Sequence, residues 1–146
     1  MRRTTGPRTN REQPRWRVGI LDSDSRSRGE VSRVIEAGGG MVVVDSPPRP
    51  DSVALLRRME PDAVVVAADE VMSHRGAVAR PPALDLPGAV VLLASAVRVQ
   101  TLRAARAPGV MGVLLRPLRA EEVGPTLDIA VARFRELMNR DRKSVV

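Results

Sequence analysis

From Trp16 onward, short apolar runs alternate with longer stretches in which apolar residues recur every three or four positions. Residues 16–21 (WRVGIL), 41–44 (MVVV), Ala63–Ala67 (AVVVA), 89–93 (AVVLL) and Val110–Leu115 (VMGVLL) have the length and aliphatic content of strands. The runs around Val64 and Val90 show little alternation, as parallel strands covered by helices on both faces do. Between the runs, Ser25–Ala37 puts Val31, Val34 and Ile35 on one helical face and stops at Gly38, Gly39 and Gly40, where glycine accepts a left-handed closing conformation. Pro50–Met59 groups Val53, Leu55, Leu56 and Met59 behind Pro50 and Asp51, which suit a helix start, and closes at Pro61. Residues 70–79 make a weaker helix and 80–87 a proline-rich loop. A fourth helix over 97–107 ends at Pro108 and Gly109. The last and longest helix, 120–142, carries Val123, Leu127, Ala130, Val131, Phe134, Leu137 and Met138 as one apolar stripe.

Five strand–helix alternations predict an α/β domain with a doubly wound five-stranded parallel sheet, because each parallel connection must cross over and does so right-handedly. The usual outcome for such a (βα)5 chain is the flavodoxin-like order 2-1-3-4-5, here with an extended last helix. Ligand chemistry in that order gathers at the carboxyl ends of strands one, three and four. The 146 residues suit one domain, expected over 16–142, with a basic arm at 1–15 and a frayed end at 143–146. One Phe, one Trp and no Tyr leave the core to Val, Leu, Ile, Ala and Met.

The formal charge of +7 is unevenly spread. Arg2, Arg3, Arg8, Arg11, Arg15 and Arg17, opposed only by Glu12, give the first seventeen residues +5 (six minus one), leaving +2 for the rest. Residues 1–15 have almost nothing to bury and cannot offset the entropy of ordering themselves, so they are expected to form a flexible arm. Arg2, Arg3, Arg8, Arg11 and Arg15 open a nucleic-acid reading. With no aromatics interleaved for base stacking, a solubilising extension is the favoured one.

The absence of Cys excludes disulfides, Cys-ligated zinc and thiol catalysis, and fits a reducing cytoplasm. His74 is alone, so a multi-histidine metal site and a Ser-His-Asp triad both lack their residues, and it reads as an ordinary loop residue. No apolar run reaches the roughly 18 residues of a membrane span, and the arginine-rich N-terminus lacks a secretory apolar stretch. Gly38, Gly39 and Gly40 follow a helix instead of linking a first strand to one, so they do not form a phosphate-cradling loop. No cofactor is expected.

Three short motifs fall where this fold gathers chemistry: Leu21-Asp22-Ser23-Asp24-Ser25, Pro61-Asp62, and Leu115-Arg116-Pro117-Leu118. Together they resemble the receiver domain of response regulators, over residues 16–142. In that family an acidic pair follows strand one, a PD leads to the phosphoacceptor aspartate, and Lys-Pro follows strand five. The C-terminal part, from Gly109 to Leu118 and from Ile129 to Leu137, looks more specifically like receivers that precede an ANTAR RNA-binding module in transcription antiterminators. The chain stops at Val146, where that module would begin, so the resemblance implies a receiver without it.

Carried over residue by residue, the resemblance implies a degenerate phosphorylation pocket. Asp22 matches the first acid, Ser23 stands where the second is usual, and Asp24 partly replaces it. The phosphoacceptor position is Ala67, which has no nucleophilic oxygen. The switch Ser or Thr aligns with Ala94, beside Ser95, and the phosphate-binding Lys with Arg116, which keeps the charge but not the ammonium geometry. A divalent cation needs several oxygen ligands, so no tightly bound magnesium is expected.

Asp69 is read as a solvated loop acid capping the helix near Val71, ahead of a displaced acceptor. Arg116 is expected to pair with Asp22 in place of phosphate and metal, and Pro117 to mark the tight turn that a cis bond makes in the family. Along the last helix, Leu127, Val131, Phe134, Leu137 and Met138 are the candidate surface for a second copy or a protein partner. The resulting expectation is no enzyme but a cytoplasmic, phosphorylation-independent interaction or dimerisation module in signalling or antitermination. A nucleic-acid-binding arm and a receiver phosphorylated at Asp69 are the alternatives.

Overall fold

In a computed structural model, residues 13–71, 86–107 and 109–144 are described. Strands β1 (Arg17–Leu21), β2 (Met41–Ser46), β3 (Ala63–Ala67), β4 (Ala89–Ala94) and β5 (Val110–Leu115) alternate with helices α1 (Ser25–Ala37), α2 (Pro50–Met59), α3 (Ala68–Val71), α4 (Val99–Ala105) and α5 (Ala120–Ser144). The strands form one sheet in the order β2-β1-β3-β4-β5, every neighbouring pair parallel. This is the flavodoxin-like order expected from the alternation of elements.

The central strands show why the sequence reads as unbroken apolar runs. In β3, Ala63 and Val65 enter one core with Trp16, Val31, Ile35, Leu127 and Ala130, while Val64 and Val66 enter a second with Val53, Leu56 and Ala104. The same alternation splits Val91 and Leu93 of β4 from Val90 and Leu92. A strand buried on both faces needs apolar residues at every position, each contributing about 1.5–3 kcal/mol when fully buried. Gly19 is the exception in β1: a Cβ there would collide with the side chain of Leu56, which fills the space a larger residue would take. At Gly88 the backbone turns at φ 90°, where an added Cβ would meet the Pro61 carbonyl oxygen at 2.7 Å.

The Pro61-Asp62 pair works at the amino end of the sheet. Asp62 Oδ2 accepts the Arg17 N–H (2.8 Å), its N–H donates to Arg17 O (2.7 Å), its carbonyl accepts from Ala89 N (3.0 Å), and Arg135 of α5 reaches Oδ1 at 3.3 Å. The motif therefore ties β1, β4 and α5 together at the end of the sheet opposite the expected chemistry.

Several boundaries differ from the sequence expectation. β2 runs two residues past its apolar stretch, because Asp45 and Ser46 still pair in register with Ile20 and Leu21 and an edge strand does not need apolar side chains to do so. α4 begins at Val99, not at position 97, since Arg98 is extended (φ −124°, ψ 174°), and it ends at Ala105. α5 continues through Ser144, beyond the expected limit at 142.

Arg15, placed in the arm by its composition, belongs to the domain. Its N–H donates to Gly39 O (2.8 Å), its guanidinium meets Asp128 Oδ2 at 2.5 Å, and it lies 4.4 Å over the Trp16 ring. The helix expected at 70–79 begins earlier, at Ala68; Arg2, Arg3, Arg8, Arg11 and His74, with residues 72–79 of that helix and 80–85 of the loop expected at 80–87, lie outside the described residues.

Leu127 and Val131 correct the partner surface expected on α5. Both are buried in the core with Ala130 and Val123, and Phe134 packs against that core. The sheet and α1 already cover them, so they are not available to a partner. Leu137 and Met138, one turn farther on, are exposed.

Candidate functional site

The carboxyl ends of β1, β3, β4 and β5 bring together most of the residues singled out from the sequence. Asp22 follows β1 with its side chain 6% exposed, opposite Arg116, whose side chain is 29% exposed. Arg116 Nη2 donates to Asp22 Oδ2 at 3.2 Å and to Ser27 Oγ at 2.8 Å, and Nη1 donates to Ser95 Oγ at 3.0 Å. One planar guanidinium thus joins the end of β1, the first turn of α1 and the loop after β4. The Arg116–Pro117 bond is cis.

The second oxygen of Asp22 is also occupied. Asp22 Oδ1 accepts the Asp24 N–H at 2.9 Å, and the Asp22 carbonyl accepts Arg28 Nη1 at 2.6 Å. Arg28 in turn donates through Nε to Asp45 Oδ1 at 2.6 Å, linking α1 to β2. A carboxylate this buried requires neutralisation, and Arg116 supplies it.

Asp24, read as a partial substitute for a second acid, does different work. Its Oδ1 accepts the N–H groups of Arg26 (2.9 Å) and Ser27 (3.3 Å) as the N-cap of α1, satisfying two donors that the helix itself leaves unpaired. Ser23 is exposed, and its N–H donates to Glu70 Oε2 at 3.0 Å. Glu70 therefore straps α3 to the loop after β1.

Ala67 ends β3, buried, with only a methyl group to offer. Asp69 stands exposed inside the short helix α3, within its first turn instead of at a cap. Ala94 ends β4 and is buried, while its neighbour Ser95 is exposed and carries the hydroxyl that Arg116 reaches. Of the two positions weighed for a hydroxyl after strand four, Ser95 is the one joined to the pocket.

Sequence reasoning missed Ser27, Arg28 and Glu70. Ser27 lies three residues after the N-cap and Glu70 three after Ala67, so helical phase brings each back over the strand ends. Nothing in their residue types marks them.

The donor set does not fit a divalent cation. Magnesium takes near-octahedral oxygen ligation, whereas here Asp22 is spent on Arg116 and a backbone N–H, Asp24 caps a helix, and Ala67 supplies no side-chain oxygen. Among the described residues no group of three or more His, Asp or Glu is placed to hold a metal ion. None of the described helices is long and apolar enough to cross a membrane.

Comparison with known proteins places this geometry. No family model matches the chain. It is 27% identical over 137 residues to the transcriptional regulatory protein PdtaR of Mycobacterium tuberculosis, covering 91% of this chain and 65% of that protein. The chain thus spans about two thirds of the length of that relative. Among solved structures, the signal receiver domain of a modulated diguanylate cyclase from Desulfovibrio desulfuricans superposes with a TM-score of 0.63 at 17% identity, covering 81% of this chain and 94% of that one. The signal receiver domain of the response regulator NarL from M. tuberculosis gives 0.59 at 19% identity, covering 82% and 98%. By its strand order and these superpositions the chain has the fold of response-regulator receiver domains, and in sequence it is similar to a transcriptional regulatory protein.

Proposed function

We propose that the chain is a phosphorylation-independent receiver, a cytoplasmic protein-interaction module in signalling or transcription regulation whose pocket is held in one arrangement by Arg116. The observation that carries this reading is Ala67. At the end of β3, between the ends of β1 and β4, the chain presents a methyl group that cannot accept a phosphoryl group. The ion pair of Arg116 with Asp22 supports it, because the charge that would otherwise be free for phosphate and metal is already neutralised within the fold.

Output would then pass by contact. The face formed by α4, β5 and α5 and the end of α5, where Leu137 and Met138 are exposed, are the surfaces for it, the latter suited to a second copy of the chain. The test is intact-protein mass spectrometry after incubation with magnesium and acetyl phosphate. An unmodified mass is expected. A phosphorylated species that disappears in Asp69→Ala, or in Asp22→Ala, would overturn the reading and restore a phosphoryl switch.

A further inference from the structure

We propose that the outer flank of α2, with the edge of β2 beside it, pairs with the same surface of a second copy about a two-fold axis. β2 is the edge of the sheet opposite β5, and the surface is separate from the end of α5. The inference therefore depends on neither of the contacts proposed above.

The first observation is where apolar residues are left exposed. Leu55 is 37% exposed and Met41 46%. Ser52, Val53 and Leu56 are the buried residues of α2, and the Ser52 hydroxyl lies 2.6 Å from that of Ser46 at the end of β2. Leu55 follows Ser52 by three residues, so helical phase puts it on the flank that faces β2. β2 pairs only with β1, which makes this flank the outer one. Met41 pairs in register with Arg17, whose guanidinium donates to Met59 O at the end of α2, so Met41 points to the α2 side of the sheet as well. Met59, half-buried, follows Leu55 by four residues and lies between the two.

The second observation is charge. Asp51 and Arg58 are exposed and stand four residues before and three residues after Leu55, on one stripe of the helix. Among the described residues neither has an ion-pair partner. A two-fold axis at Leu55 turns the second helix end for end. Each Asp51 then lies opposite the Arg58 of the other copy, and Leu55 meets Leu55. Met41, at the foot of the edge, meets the half-buried Pro47 and Pro48 that follow the second copy's β2. The helix dipole accounts for an acid at one end of α2 and a base at the other, but not for an exposed leucine between them.

Together these select the occupant. Nucleic acid or an anionic membrane would attract Arg58 and be repelled by Asp51. A foreign segment gives no reason for the stripe to be its own complement, as a two-fold contact requires. The register of β2 shifts between Val18 and Gly19 of β1, which interrupts the regular edge, so side chains carry the contact and not a continuous backbone ladder. Ten helical and six strand residues make a small interface, of the kind that gives weak, concentration-dependent association.

The test uses the full chain. It has no cysteine, so Leu55→Cys introduces a single thiol. Under mild oxidation this variant is expected to form a disulfide-linked dimer about tenfold faster than Leu102→Cys, an exposed position on α4, because the axis brings its two thiols within bonding reach. In sedimentation velocity, Asp51→Lys and Arg58→Glu are each expected to self-associate about tenfold more weakly than wild type, and their equimolar mixture to recover the dimer, since each variant then carries the charges the other needs. Circular dichroism checks that both are folded, and the thiol reaction decides alone if either is not.

Equal oxidation rates at the two positions, a mixture no more associated than its components, or a wild type that is monomeric at every concentration overturns the proposal. So does loss of the Leu55→Cys cross-link when Leu137→Asp is added, which would assign the dimer to the end of α5.

Discussion

A guanidinium at position 116 reaches three side-chain oxygens from three parts of the chain, those of Asp22, Ser27 and Ser95. An ammonium at the end of a flexible stem lacks the fixed fork that makes those contacts simultaneous. Arg116→Ala would leave the buried Asp22 carboxylate without its neutralising charge. Its expected cost in urea denaturation is about 1–3 kcal/mol, less than for breaking a fully buried pair because Arg116 itself is partly solvated. Arg116→Lys should lose less, and an unchanged unfolding midpoint in Arg116→Ala would show that the pair holds nothing in place. The residues of this network were unevenly legible in the sequence. Asp22 and Arg116 stand in motifs whose position at strand ends can be read directly. Ser27 and Glu70 enter only because the phase of α1 and the placement of α3 turn them back over the pocket, and Asp24, an acid beside an acid, is consumed as a helix cap. Residue type announces that a carboxylate is present, but its partners follow from backbone direction.

At the scale of elements, α5 shows the same division. Its apolar stripe is visible as a period of three and four, yet the stripe has two environments. Leu127 is fully buried against the sheet and α1, Phe134 is half-buried, and Leu137 and Met138 are exposed. Where the stripe leaves the domain depends on how far the neighbouring elements reach, which no property of the helix encodes. The two parts should respond differently to truncation. Leu127→Ala is expected to destabilise the monomer by about 2–5 kcal/mol through lost burial and the cavity left behind. Leu137→Ala should change monomer stability by no more than roughly 0.5 kcal/mol. Chemical denaturation at low protein concentration measures both. If Leu137→Ala also costs several kcal/mol there, the end of α5 is packed within the monomer and is no free surface. The ends of β2 and α4 depart from the apolar pattern for a related reason: β2 is lengthened by backbone pairing with β1 and α4 is trimmed by the extended Arg98, and neither effect leaves a mark in that pattern.

For the molecule as a whole, the order β2-β1-β3-β4-β5 was legible because five alternations and the right-handed crossover leave few topologies open. What the pattern did not carry is how the start of the domain is fastened to its last helix. Trp16 Nε1 donates to Asp128 Oδ1 at 2.8 Å, and Arg15 grips Oδ2 while lying over the indole, so one α5 carboxylate receives both residues that lead into β1. The hydrogen bond and charge of Arg15, with the bond from Trp16, outweigh partial desolvation and hold the Asp128 carboxyl below its ordinary range. A carboxyl whose pKa is lower folded than unfolded contributes stability in full above the unfolded value, about 3.9, and loses it as pH falls through that value toward the folded one. Wild-type protein is therefore expected to exceed Asp128→Asn in thermal midpoint at neutral pH, with the gap closing as pH drops from about 5 to about 3. The gap should be modest and should shrink with added salt, since the Asp128 side chain is 49% exposed and the pair is screened by solvent. A midpoint difference that stayed constant over that pH range would mean that the carboxylate charge plays no part in fastening Arg15 and Trp16 to α5, and that the contact is one of shape alone.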